Sequence, residues 1–329
     1  MKTLDIQALR LRLPNTARPV LDGVDLTVGA SETVALVGES GSGKTLTSRT
    51  VLRLLPRGAG AEGTVRVAGQ DVLAMTPDQL RGLRTGTAAM IFQDPRAAIN
   101  PLRRIGDFLT ESLRFQGVES VRSQGEDATA RAAELLEAVG LTAAALRQYP
   151  GQLSGGMLQR VMIAAALMGD PALILADEPT TALDVTTQAE VVSLLGDLRE
   201  RFGTGLLFVT HDLGLAAAIS DRVYVMYAGR IAETGPAEAL FNRPRHPYTA
   251  ALLASTPRLD APPGRLAAIE GQPPSLREEL TGCPFAPRCP MATFICNQQA
   301  PVMLPLPGEP AHLTACHHSD QLDGGSGDE

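Results

Sequence analysis

Residues Gly38-Glu39-Ser40-Gly41-Ser42-Gly43-Lys44-Thr45 fit G-x-x-x-x-G-K-[ST], the spacing of a phosphate-binding loop. Its glycines let the backbone curl so that N–H groups point at phosphate oxygens. Lys44 is placed to reach β- and γ-phosphates, and the Thr45 hydroxyl to ligate Mg²⁺. A chance match in a glycine-rich chain is the alternative. Against it, Lys2 and Lys44 are the only lysines among 29 Lys and Arg residues, so a compact point charge stands where composition would put Arg. Asp177 and Glu178 close an apolar run: the first suits Mg²⁺ held through water, the second the polarising of an attacking water. Taken alone, they could be two solvated acids at a strand end. Gln93 and His211 each follow an apolar run and are individually uninformative, a lone histidine being more often structural. In Leu153-Ser154-Gly155-Gly156-Met157 a serine suited to an N-cap precedes two glycines that bare their N–H groups, a second anion-facing element.

These residues need elements to hold them. Thr33 to Val37 is apolar and β-branched and reads as a buried strand, and Leu46 to Leu55 as a helix, which gives the strand–loop–helix setting the loop requires. Ala172 to Ala176 and Leu206 to Thr210 read as strands ending at Asp177-Glu178 and at His211-Asp212, and acids at a sheet's carboxyl edge mark sites in open α/β folds. Met90 to Phe92 is a short strand before Gln93 and the break at Pro95. From about Pro101 to Gly169 the pattern is helical, most clearly over 131–139 and 161–168. Residues 4–13 and 20–28 read as edge strands of an antiparallel sheet, 64–67 with 70–72 as a hairpin, and 223–227 with 230–233 as a closing hairpin.

The length of 329 residues allows one large or two modest domains, and 44% hydrophobic residues is globular. A net charge of −7 offers no general basic field, so nucleic acid is not an expected partner. No run of about 18 apolar residues occurs, and MKTLDIQALRLRL lacks the apolar core of a signal peptide. A cytosolic chain that meets a membrane only through a partner is expected. After about residue 242 prolines cluster and all four cysteines follow, while Ser319 to Glu329 reads as a disordered tail.

The order of these features resembles the ATPase subunit of ABC transporters over residues 1–250. On that resemblance the phosphate loop is Gly38–Thr45, the Gln loop Gln93, and the signature Leu153-Ser154-Gly155-Gly156-Met157. The strand-end acids are Asp177 and Glu178, the D-loop Ala182-Leu183-Asp184, and the switch histidine His211. It implies an α/β P-loop fold, a mixed core sheet with an antiparallel β edge and a helical subdomain inserted at about 95–168. It also implies ATP and Mg²⁺, the metal being met by Thr45, Gln93 and Asp177. Two such chains would sandwich ATP head to tail, the signature of one covering the loop of the other. Two departures stand out: Met157 replaces the usual Gln, and no aromatic residue precedes Phe92, so the ring that normally stacks on adenine is missing. Leu13 and Val20 are candidates to pack on the base instead, with weaker discrimination against GTP.

Narrower resemblance is to the peptide/nickel importer group and its D-type oligopeptide/dipeptide permease ATPase. It rests on Phe92-Gln93-Asp94-Pro95, Ile99-Asn100-Pro101, Arg245-His246-Pro247-Tyr248-Thr249, Gly271-Gln272-Pro273-Pro274-Ser275-Leu276 and Gly282-Cys283-Pro284-Phe285-Ala286-Pro287-Arg288-Cys289-Pro290. It implies a peptide importer, with nickel or glutathione import as variants, rather than a soluble ATPase acting on nucleic acid or the ribosome. The partners implied are a second ATPase chain (a sister F-type chain, or an identical copy), two integral permeases at the cytoplasmic face of the membrane, and indirectly an extracytoplasmic solute-binding protein. Residues 251–318 are then a C-terminal Pro/Cys-rich domain. Cys283, Cys289, Cys296 and Cys316 contain no C-x-x-C pair, so a standard zinc ribbon is not indicated. Ordinary packed thiols, zinc with help from His317 or His318, and a [4Fe–4S] cluster all stay open; members of the resembled group carry a cluster there.

Overall fold

A computed structural model describes residues 2–114, 123–181, 183–256 and 268–324. Its strands, in chain order, are β1 (Lys2–Arg12), β2 (Leu21–Gly29), β3 (Thr33–Val37), β4 (Gly60–Val67), β5 (Gln70–Asp71), β6 (Ala88–Ile91), β7 (Leu173–Asp177), β8 (Gly205–Val209), β9 (Arg222–Tyr227), β10 (Arg230–Pro236), β11 (Leu304–Leu306) and β12 (Glu309–Thr314). They form two sheets. The smaller is antiparallel, in the order β2-β1-β4-β5; the larger runs β11-β12-β10-β9-β3-β8-β7-β6. From β9 through β6 the larger sheet is parallel, and β10, β12 and β11 continue it antiparallel at one edge.

The parallel strands are short and apolar because both faces are covered. Every residue of β3, β7 and β8 is buried. Alternation then divides their side chains. Leu173, Leu175, Leu207 and Val209 pack with the small sheet, joining Leu4, Ile6, Val24 and Val65. Ile174, Ala176, Leu206 and Phe208 face the other way, onto Val161, Ile163 and Val191 of the helices Gly155–Leu167 and Val185–Phe202. Between β6 and β7 the chain is helical, with Pro95–Ala98, Ile105–Arg114, Ser123–Ala138 and Gly155–Leu167.

The helix after the phosphate loop is Lys44–Val51, shorter than the expected 46–55. It stops because Arg53 turns left-handed (φ 50°) and the Arg84 guanidinium binds the carbonyls of Leu52, at 2.7 and 3.0 Å, and of Arg53, at 3.2 Å. The C-terminal segment is loop-rich but shares the main sheet, β12 pairing with β10 at Glu233↔Thr314 and Thr234↔Leu313. Of the expected disordered tail, Ser319–Gly324 forms a 3₁₀ turn, and residues 325–329 lie outside the described residues.

Candidate functional site

β3 runs straight into the phosphate loop, and the following helix starts at Lys44. Gly38 has φ 148°, and a Cβ there would lie 2.2 Å from the Met226 carbonyl oxygen, so β9 forbids any side chain at the loop's first turn. Lys44 is only 4% exposed, and its Nζ donates to the carbonyls of Gly38 (2.8 Å) and Glu39 (3.0 Å). Burial pushes its pKa down, partly offset by Glu178, Asp177 and Glu39. The Ser42 hydroxyl is buried without a protein partner, an orphaned polar atom inside a loop shaped for an anion.

At the carboxyl ends of β7 and β8 the predicted acids and polar groups meet. Thr45 Oγ1 donates to Asp177 Oδ1 at 2.9 Å, pairing the hydroxyl and the carboxylate expected to share a cation. Burial raises the Asp177 pKa, while the Thr45 hydroxyl and Arg49 pull it back. Glu178 sits at φ 48°, a left-handed backbone uncommon for a non-glycine residue. Its Oε2 receives Gln93 Nε2 at 3.2 Å and Thr181 Oγ1 at 2.9 Å, and lies 3.4 Å from His211 Nδ1. Gln93, expected at the metal, is thus turned to Glu178.

The signature lies apart from this cluster. Ser154 caps the helix Gly155–Leu167, its Oγ accepting the Met157 N–H at 3.3 Å, and Leu153 is buried behind it. A Cβ at Gly155 would meet open space, one at Gly156 the Thr187 methyl at 2.9 Å. Among the described residues no hydrogen bond links 153–157 to the phosphate loop. Asp184 caps the helix Val185–Phe202, accepting from Thr187 N (3.1 Å) and Thr187 Oγ1 (2.8 Å); Ala182 lies outside the described residues. Of the two candidates for the base, Val20 is taken up by the core and Leu13 stays half-buried.

The four cysteines are free thiols. Burial, with smaller contributions from one another, raises Cys283 and Cys289 and pushes Cys316 up to about 11. They therefore lie within one another's field. Among the described residues, no group of three or more Cys, His, Asp or Glu gathers closely enough to hold a metal ion. His318 Nε2 is bonded to Thr293 Oγ1 at 2.8 Å and His317 Nε2 to the Gln299 carbonyl at 3.0 Å, so both imidazoles are turned to protein partners.

Sequence reasoning missed three residues that reach the nucleotide cradle. Tyr248 and Arg288 contact Glu39 of the phosphate loop, and Arg18 lines a cleft with residues 39–42 of that loop. The signal for two of them was present, since Tyr248 and Arg288 belong to motifs singled out only as markers of a group.

Comparison with known proteins places the chain in a family. Residues 21–181 match the ABC transporter family, and residues 232–296 the oligopeptide/dipeptide transporter C-terminal region. A probable peptide ABC transporter ATP-binding protein of Sinorhizobium fredii is 43% identical over 307 residues, 92% of this chain and 90% of that protein. The oligopeptide transport ATP-binding protein AppD of Bacillus subtilis is 43% identical over 290 residues, 87% of each. Among solved structures, a dimeric post-hydrolysis ATP-binding cassette bound to ADP and Pi superposes with a TM-score of 0.62 at 29% identity, covering 71% of this chain and 98% of that one.

Proposed function

The chain belongs to the ABC transporter ATP-binding proteins, in their oligopeptide/dipeptide group, and from that premise we propose how its residues turn over ATP. It is the ATP-hydrolysing subunit of a peptide importer. The observation that carries the residue assignment is Glu178, held by Gln93, Thr181 and His211 beside the Thr45–Asp177 pair.

ATP enters with its phosphates on the amides of residues 38–45. Lys44 leaves its two carbonyl partners for the β- and γ-phosphates, and Ser42 gains an acceptor for its unpartnered hydroxyl. Thr45 and Asp177 would hold Mg²⁺, which would supply charge neutralisation on those phosphates. All three contacts to Glu178 fall on Oε2, which leaves Oε1 to take a proton from the attacking water. Gln93 and His211 hold that carboxylate in line, and His211 faces the γ-phosphate. Ser154, Gly155 and Gly156, unengaged with their own chain's loop, cover ATP bound to a second ATPase chain, with Leu153 and Met157 supporting the turn and Asp184 lining the same junction. That second chain is a sister F-type subunit. Substitution of Glu178 by Gln tests the assignment: ATP turnover should fall roughly 10²–10⁴-fold with ATP binding retained, and turnover at the unaltered rate would remove Glu178 from the mechanism.

Membrane association is peripheral, at the cytoplasmic face, through two permeases, with a solute-binding protein delivering peptide from outside. No helix among the described residues is long and apolar enough to cross a membrane. The [4Fe–4S] cluster that the resemblance implies would be held by Cys283, Cys289, Cys296 and Cys316, which are free thiols not gathered around one ion in this structure. Its chemistry when bound is structural: it staples a segment with little core of its own.

A further inference from the structure

Arg288 lies inside the cysteine-bearing turn, next to Cys289, yet its side chain leaves that turn for the phosphate loop. All five of its N–H donors are used. Nη1 donates to Glu39 Oε2 at 2.7 Å and to the Tyr227 hydroxyl at 3.1 Å; Nη2 donates to Glu39 Oε1 at 2.9 Å and to the Ile269 carbonyl at 3.1 Å; Nε donates to the Glu270 carbonyl at 2.9 Å. The Arg288 side chain is only 4% exposed, and its guanidinium lies over the rings of Tyr227 and Phe285. A bidentate carboxylate pair with every remaining donor spent has one geometry, and lysine cannot reproduce it.

Glu39 is held from two further directions. Its N–H donates to the Tyr248 hydroxyl at 2.8 Å, and its carbonyl accepts Lys44 Nζ at 3.0 Å. Tyr248, Tyr227 and Phe285 pack as one aromatic cluster, with centroids 4.6–5.3 Å apart. The same segment holds Arg18, which lies beside residues 39–42 and donates to the carbonyls of Pro274 (2.9 Å) and Ser275 (3.2 Å), while Ala17 N–H donates to Leu276 O at 3.0 Å. Residues 269–288 therefore bear on both the phosphate loop and the neighbouring Ala17–Arg18 turn.

We infer that Arg288 is a positioning residue for the ATP site: from the cysteine-bearing turn it fixes Glu39, and through Glu39 the start of the loop that carries Lys44. The inference rests on the ATPase reading above and deepens it, making the C-terminal segment part of the nucleotide cradle. Arg288 touches no phosphate itself. It sets where the Gly38 and Glu39 carbonyls stand, and hence where Lys44 is presented when ATP arrives.

The test uses the full chain, purified with the membrane proteins that accompany it, and follows ATPase rate against ATP concentration for wild type, Glu39→Gln, Arg288→Lys and the double variant. Glu39→Gln leaves the cysteine segment's own residues intact, so it reports even if Arg288→Lys misfolds. The KM for ATP should rise about tenfold in each single variant with kcat changed less than about threefold, and the double variant should be no worse than either single, because one interaction is removed twice. A KM within about twofold of wild type in Glu39→Gln, or additive losses in the double, overturns the inference while leaving the ATPase reading intact. A wild type that does not hydrolyse ATP would overturn the ATPase reading instead.

Discussion

His246 should make this protein lose stability in mildly acidic solution, by an amount that can be worked out. The ring is buried, and its Nδ1 accepts the Tyr248 N–H at 3.0 Å as the cap of the helix Pro247–Ala254. A proton on Nδ1 would remove that acceptor and place a charge in the interior. Burial accordingly depresses the pKa from the ordinary 6.5 to about 4, opposed by a backbone contact with Ala315. Because the folded value lies below the unfolded one, the unfolded chain takes up the proton first as pH falls. The contribution is present in full above pH 6.5 and is lost between there and about pH 4. The linkage is on the order of 1 kcal/mol by pH 5.5 and about 2–3 kcal/mol by pH 4.5. His246→Asn keeps a capping acceptor and removes the titration, while the buried Glu233–His312 pair nearby is common to both proteins and cancels in the difference. Urea unfolding of the two proteins, followed by circular dichroism across this range, reads the effect as a difference that opens toward acid in favour of Asn. A difference that stays flat would show that His246 is not held neutral in the folded chain, and the reasoning from burial would fail.

Two further outcomes follow from the site. With Leu13 half-buried and no ring before Phe92, the base loses a stacking contact worth about 1–3 kcal/mol; GTP should compete with ATP to within about tenfold, and strong discrimination would show that another surface reads the base. Purified without air, the chain should be brown and carry about four irons, and after metal removal Cys316, with a pKa pushed up to about 11, should alkylate slowly near neutrality; a colourless, iron-free sample rules the cluster out.

The chemistry of the site was legible because it sits where regular elements end. Thr33–Val37, Leu173–Asp177 and Gly205–Val209 are short apolar runs whose ends suggest one sheet edge, while the joining of Lys44, Asp177, Glu178 and His211 into one site came from the order of motifs that resembles the ABC ATPases. What periodicity cannot carry is a contact between distant polar side chains. Glu39 and Arg288 are 249 positions apart, and Arg18 and Ser275 are 257 apart, with nothing in either local pattern to announce the pairing. Glu233 is the sharper case. It is the last residue of the expected closing hairpin, and nothing in that local pattern marks it as buried. It is instead fully buried, accepting the N–H groups of Arg245 at 2.7 Å and His246 at 3.0 Å and facing His312 Nε2 at 2.7 Å.

That buried acid explains why the C-terminal segment cannot be read as a separate appendage. A carboxylate in the interior is tolerable only if every donor around it arrives, and its donors come from both sides of the expected boundary near residue 250: Arg245 and His246 before it, His312 after it. Removing His312 alone would leave the charge short of a partner, so β12 must dock on β10 for the ATPase core itself to be satisfied. The same docking carries Cys316 in beside β12 and fixes the frame from which Phe285 and Arg288 reach Tyr248 and Glu39. A thiol-bearing segment that merely decorated the surface would need none of these buried polar contacts. Of these contacts, the Arg288–Glu39 pair reaches the start of the phosphate loop and ties the segment to the place where ATP binds.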